Sequence, residues 1–301
     1  MAGRRIAALV SVVTALAATV VGTAVGAPPV GTPSASAMAL TAADIPDGKV
    51  VKQAGVSDSD LNIADDYERS FEFATPHGTS KFVSLDNETL VATSSAAAAN
   101  EYHGLAHRIS QPSYLRALSN ALVKRIGKKN VVSVALGKPH ALAFADSAME
   151  ITVILRTKRS PLDISISVYR LASVLVFNLA EGIGGRVSPG DALAFGKLGV
   201  AHIKQVLVPL TITAPSVTGA PQQGQTLTAA HGTWGDEPTG FAYQWQHCDA
   251  TGANCADVPG ATAGTYAVTS ADVGSTLKVV VTATNRFGAA AAPSAATAAA
   301  S

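Results

Sequence analysis

The sequence predicts two folds in series: an α+β domain, with helices packed on an antiparallel sheet, and then an all-β sandwich. Three observations carry this expectation. Residues 67–207 mix alternating apolar and polar stretches with runs of helical spacing, the pattern of a sheet with helices laid on it. From about Pro209 helical spacing stops, and short alternating stretches follow one another between Gly, Pro, Asn and Asp, the pattern of a sandwich. A length of 301 residues accommodates both.

The chain opens MAGRRIAALVSVVTALAATVVGTAVGAPPVGTPSASAMAL. Arg4 and Arg5 precede an uncharged run from Ile6 to about Ala27, the make-up of a secretory signal peptide. A run of this length also suits a retained membrane anchor. Val25-Gly26-Ala27 and Ala35-Ser36-Ala37 both satisfy the small-residue rule for cleavage. Pro28 would follow the first cut, so the second is preferred, with a signal peptide over 1–37 and a mature start at Met38. Residues 38–66 then read as an extended linker.

The α+β domain spans 67–207. In "YERSFEF" (67–73) Tyr67, Arg69, Phe71 and Phe73 alternate with Glu68, Ser70 and Glu72, a first strand. "KFVSLDNETLVAT" (81–93) gives a second, interrupted at Asp86-Asn87. "SSAAAANEYHGLAHRIS" and "SYLRALSNALVKRIGKK" read as helices. In the latter Leu115, Leu118, Leu122 and Ile126 recur at helical spacing, with Pro112 at the start and Gly127 at the stop. "NVVSVALGK", "HALAFAD", "MEITVILRT", "LDISISVYR" and "SVLVFNLAE" follow as strands joined by short connections, hence an antiparallel meander. Ile164, Ile166 and Val168 alternate with Ser165, Ser167 and Tyr169, so that strand is expected to be covered on one face only, whereas "SVLVFNL" is apolar on both faces and is expected to be central or sandwiched. A last helix begins at "SPGDALAFGKLGVAHIKQVL", with Ser188 as cap, Pro189 first inside and Asp191 completing a capping box. On element order and the "YERSFEF" opening, the domain resembles the Mog1/PsbP-like α+β fold and secreted actinobacterial domains of similar order. That resemblance brings no catalytic residue with it.

In the second domain, 209–299, strands are read at "QTLTAAHG", "FAYQWQHC", "GTYAVTS" and "STLKVVVTATN". Tyr243 and Trp245 share a face and are expected at the centre of the core. The two cysteines of the chain, Cys248 and Cys255, flank "DATGAN". In an exported chain a disulfide is favoured; zinc usually draws four ligands from tighter pairs, and a redox pair is normally C-x-x-C. The motifs "GAPQQGQTLTAAHGTW", "YQWQHCDATGANCADVPGATAGTY" and "TSADVGSTLKVVVTATNRFG" resemble the bacterial immunoglobulin-like repeat of secreted actinobacterial proteins. The resemblance implies an immunoglobulin-like β-sandwich, a cysteine pair around the short loop carried onto Cys248 and Cys255, and a spacer or binding module without catalytic residues. The tail "FGAAAAPSAATAAAS" is expected to finish a weak strand and then lose order.

A formal net charge of +1 leaves no global field to draw nucleic acid or an anionic membrane. His103 and His107 in "NEYHGLAHR" stand four apart on one helix face and are the weak candidates for a metal, with Glu101 nearby. Gly104 occupies the place where H-E-x-x-H has its general base, so no metal site is assigned. His77 and His140 read as exposed loop residues and His202 as a surface residue. No G-x-S-x-G elbow is present, and "EGIGGRVSPGD" lacks the Gly-Lys-Ser/Thr ending of a phosphate loop. Lys124, Arg125, Lys128 and Lys129 suit an anionic glycan or lipid, although a helix C-terminus already explains cations there. Asp65 and Asp66 read as solvated loop carboxylates.

These readings predict a secreted, monomeric, non-enzymatic protein without cofactor, in which the α+β domain recognises an extracellular or cell-surface ligand. The second domain then serves as spacer or second contact. No nucleic acid partner, and no membrane partner after signal cleavage, is expected. Two other readings stand beside it: a carrier of an apolar ligand between sheet and helices, and an envelope enzyme with a metal or hydrolase site.

Overall fold

The computed structural model describes residues 31–55, 63–77, 82–158, 161–183 and 189–301. It is predominantly β, with 47% of the described residues in strands and 20% in helices. This corrects the expectation of an α+β domain followed by an immunoglobulin-like sandwich. Strands in the first half are long and join one large sheet, against which the helices are short; those in the second half are short and divide among several small sheets. The chain splits into two compact units, one containing residues 33–203 and the other 204–301. The expected signal peptide lies largely outside the described residues.

The first unit starts with a short helix, α1 (Ala35–Met38), capped by Ser34, whose Oγ accepts the Ala37 N–H at 3.3 Å. Then come β1 (Gly48–Gly55), β2 (Ile63–His77), β3 (Phe82–Ala92), α2 (Ser95–Ile109) and α3 (Pro112–Ile126). They are followed by β4 (Val131–Leu136), β5 (His140–Ala141), β6 (Ser147–Thr157), β7 (Pro161–Leu171), β8 (Val174–Ile183) and α4 (Pro189–Val206). The strands make one antiparallel sheet in the order β1-β2-β3-β8-β7-β6-β4, with β5 also on β6. The segment read as a linker is therefore part of this fold: β1 forms the sheet edge, and Leu40 and Ile45 are buried. β3 runs unbroken through Asp86 and Asn87, because both side chains are buried in the sheet rather than turned to water.

One face of the sheet packs Leu90, Ile151, Val153, Ile164, Ile166 and Val168 against Tyr102, Leu105 and Ile109 of α2 and Leu118 and Leu122 of α3. On the other face Leu40, Ile45, Phe71, Leu85 and Ala180 gather with Phe195 of α4. There α4 comes very close: a Cβ at Gly199 would lie 1.9 Å from the Tyr169 hydroxyl, and one at Gly196 would lie 2.4 Å from the Phe144 ring. Ser165, Ser167 and Tyr169 are consequently buried, so β7 is covered on both faces rather than one. The cap expected at Ser188 lies outside the described residues.

The second unit contains β9 (Thr211–Thr213), β10 (Ser216–Thr218), β11 (Thr226–Ala230), β12 (Thr233–Trp234), β13 (Gly240–Cys248), β14 (Ala256–Asp257), β15 (Thr265–Ala267), β16 (Thr276–Asn285) and β17 (Gly288–Pro293). They form a four-stranded sheet β14-β13-β16-β17, a three-stranded sheet β10-β11-β15 and a two-stranded ribbon β12-β9. Trp245 is fully buried among Leu227, Val268, Leu277, Val279 and Val281, donates its indole N–H to Ala263 O at 2.9 Å, and stacks on Tyr266. Tyr243 and Phe241 are only half-buried beside it. His247 lies opposite Ala256, so Cys248 and Cys255 face each other at the hairpin mouth and are joined with an S–S distance of 2.00 Å. The tail keeps its order after β17. Backbone N–H groups of Ser294, Thr297 and Ala300 donate to Val279, Leu277 and Ser275, and Ser294 Oγ and Thr297 Oγ1 accept the N–H groups of Val279 and Leu277 in return.

Candidate functional site

The weak metal candidates His103 and His107 gather no third ligand among the described residues. α2 buries Tyr102, Leu105 and Ile109 and leaves His103 and His107 exposed. Among the described residues no group of three His, Cys, Asp or Glu side chains gathers around a metal-sized point. His77 ends β2, opposite Phe82. His202 is no free surface residue: its Nε2 lies 2.9 Å from Ala37 O and its Nδ1 3.1 Å from Asp44 Oδ2, tying α4 to the chain's early segment. Asp65 accepts the Ala35 N–H at 2.6 Å and Asp66 is buried, so neither is a solvated loop carboxylate. Residues 184–188 of "EGIGGRVSPGD" lie outside the described residues.

Sequence reasoning missed a polar row that crosses the sheet interior. Arg69, Asn87, Asn178, Ser167, Glu150 and His140 lie each directly opposite the next on β2, β3, β8, β7, β6 and β5. Facing pairs on adjacent strands project to the same side of the sheet. Arg69 donates to Leu40 O at 2.6 Å, Asn87 Nδ2 donates to Asn178 Oδ1 at 2.8 Å, and Asn87 Oδ1 accepts the Leu40 N–H at 3.0 Å. Ser165 Oγ donates to Glu150 Oε1 at 2.5 Å, and His140 Nε2 sits 3.2 Å from Glu150 Oε2. Burial pushes the Glu150 carboxyl above its ordinary range, and the Ser165 hydrogen bond and His140 oppose this. Serine, carboxylate and histidine meet here, but the carboxylate sits between the other two. His140 therefore is not placed to take the Ser165 proton, and Ser165 and Glu150 are closed off at 1% and 0% exposure. From Asn87 to Glu150 the row is buried and is tied by the Asn87–Asn178 and Ser165–Glu150 hydrogen bonds, while His140 at its end is 44% exposed.

The opposite face of β2 and β3 carries carboxylates. Glu68 faces Glu88, and Ser70 faces Asp86. Burial, chiefly, pushes the Asp86 carboxyl up to about 6; Glu68 adds to the rise, while Ser70 and Lys52 oppose it. Lys52 pairs with Glu68.

Exposed chemistry concentrates instead at the other edge of the sheet. β4 pairs only with β6, and a bulge between Val131 and Ser133 leaves Val132 66% exposed. Lys128 and Lys129 precede the strand and Lys138 follows it, all exposed. Arg156 lies opposite Ser133 on β6, and the backbone N–H of Lys158 donates to Asn130 O at 3.0 Å. Five cations thus surround a strand of six residues, and none of them has a carboxylate partner among the described residues. Lys128 and Lys129 follow the C-terminus of α3, where its dipole favours cations. Lys138, Arg156 and Lys158 stand at no helix end, so that explanation does not reach them. The basic run 124–129 was legible in sequence; Arg156 and Lys158 join it only through strand pairing, and Lys138 marks the other end of β4.

No protein-family model and no curated protein matches the chain, so the immunoglobulin-like repeat resemblance of 209–299 finds no support there. Among solved structures the chain is similar to the extracellular domain of PknH from Mycobacterium tuberculosis, at 8% identity and a TM-score of 0.36. The match covers 60% of this chain and 98% of that one.

Proposed function

We propose that this chain is an extracellular, non-enzymatic binding protein whose first unit holds an anionic partner along the β4 edge. The observation that carries the reading is the set of five cations around β4 without acidic partners among the described residues. Uncompensated like charges repel one another, and an anionic ligand relieves that repulsion. With a formal net charge of +1 the whole molecule supplies no general attraction, so any affinity for anions has to be local. A disulfide supports an oxidising compartment, and the second unit, stapled at Cys248–Cys255, serves as spacer or second contact.

Fluorescent polyglutamate tests the reading by polarisation at graded salt. Binding is expected at low ionic strength and should weaken steeply as the screening length falls to about 8 Å near physiological salt. Absence of binding to polyglutamate at low salt would overturn the reading.

A further inference from the structure

We infer that β4 takes its partner by strand addition: an extended peptide segment that carries carboxylates at both ends. The inference rests on the anionic-partner reading above and adds to it the form of the ligand. An edge strand directs N–H and C=O groups of alternate residues outward, where a further strand can pair with them. Among the described residues, β4 makes its only pairing with β6, and no backbone hydrogen bond joins residues 131–136 to any other segment. Beyond the bulge, Ser133 to Leu136 are in regular register with β6, leaving a short flat stretch for the incoming chain. Ser133 and Ala135 are small and exposed there, and Val132 offers an apolar contact.

Charge selects the occupant. Lys128 and Lys129 precede β4 and Lys138 follows it, and the six-residue strand between them spans about 20 Å at strand spacing, so cations mark both ends of the edge. A second copy of this chain is the obvious rival, since exposed edges pair with themselves. Antiparallel pairing of two copies sets Lys128 and Lys129 of one against Lys138 of the other. Parallel pairing sets Lys128 and Lys129 against themselves. Both arrangements bring like charges together, as edge lysines do in proteins that avoid self-association. The device that excludes a copy admits a strand with acidic ends. An anionic glycan or lipid surface would answer the cations but leave the outward backbone groups and Val132 unused.

The test uses the full chain and a labelled peptide of alternating valine and threonine with two glutamates at each end. Three probes accompany it: the same peptide with lysines for glutamates, the acidic peptide N-methylated at alternate residues, and polyglutamate. Strand addition predicts that the acidic peptide binds at least tenfold more tightly than the N-methylated form, which keeps the charge and loses the backbone donors. The lysine-flanked peptide should not bind. In K128E/K129E/K138E the preference between acidic and lysine-flanked peptides should reverse. Equal binding of the N-methylated peptide, or tighter binding of polyglutamate, would overturn strand addition and leave the anionic-partner reading standing. No binding of any acidic probe at low salt would overturn both.

Discussion

Asp86 shows how a single residue in this sheet acquires an unusual pH response. Its carboxyl is 2% exposed and is held at about 6, mainly by burial. An aspartate in the unfolded chain titrates near 3.9. Between these values the folded state binds more protons than the unfolded state, so stability falls as pH rises from about 4 to about 6. Integrated over that window, the loss is about 3 kcal/mol as an upper figure. Asp86→Asn is therefore expected to raise stability at pH 7 and to flatten this part of the stability–pH curve, measured by denaturant unfolding at a series of pH values. A variant that is less stable than the parent at pH 7 would show that the charged form is the favoured one. Gly199 makes a different demand. A methyl group there meets the buried Tyr169 hydroxyl at 1.9 Å, so Gly199→Ala should cost about 1–3 kcal/mol through overpacking. Adding Tyr169→Phe should return part of that loss, a coupling that a double-mutant cycle in thermal unfolding would read.

At the scale of elements, the hairpin between β13 and β14 is the best understood. Its seven-residue separation between cysteines gives a chain-entropy stabilisation of about 2.5 kcal/mol. Both tryptophans of the chain, Trp234 and Trp245, lie in the second unit, so tryptophan fluorescence follows that unit alone. Denaturation of Cys248→Ala/Cys255→Ala monitored at the tryptophans should show a loss of that size; an unchanged midpoint would remove the staple from the stability argument. This hairpin was legible because cysteine spacing and aromatic alternation are local signals. The β7 serines were not. In "LDISISVYR" their alternation with isoleucine is indistinguishable from an exposed face, and only the arrival of α4 and Leu40 shows that Ser165 and Ser167 are buried. That β2 extends beyond 67–73 and that β3 runs without interruption have a related reason. Asp65, Asp66, Asp86 and Asn87 look like turn residues in sequence, and it is cross-strand pairing that holds them in the sheet.

For the whole molecule, the predominance of strand over helix follows from the eight-stranded sheet, which recruits residues 48–55 that composition marked as linker. The same recruitment bears on processing. Ala35, Met38 and Leu40 are buried in the first unit, and the Ala35 N–H is bonded to Asp65. If the leader read from sequence is removed, a cut after Ala27 would preserve these contacts, whereas the cut after Ala37 preferred from sequence would sever α1. The intact mass of secreted protein is expected to correspond to a start before Ala35, and a mass beginning at Met38 would show that the first unit dispenses with them. The basic edge is likewise a property of the assembled chain, since strand pairing brings Arg156 and Lys158 beside Lys128 and Lys129 while the net charge stays at +1.

A comparison of two charge-reversed proteins tests the local nature of that edge most directly. K128E/K129E/K138E and K49E/K197E/K204E change the net charge equally, and all six lysines are exposed. With polyglutamate at low salt, the first variant is expected to lose at least tenfold in affinity, as expected when several contacts to one ligand are reversed. The second should stay within about twofold of the parent at matched ionic strength. Equal losses in both would mean that polyglutamate responds to total charge and that β4 is not the binding edge.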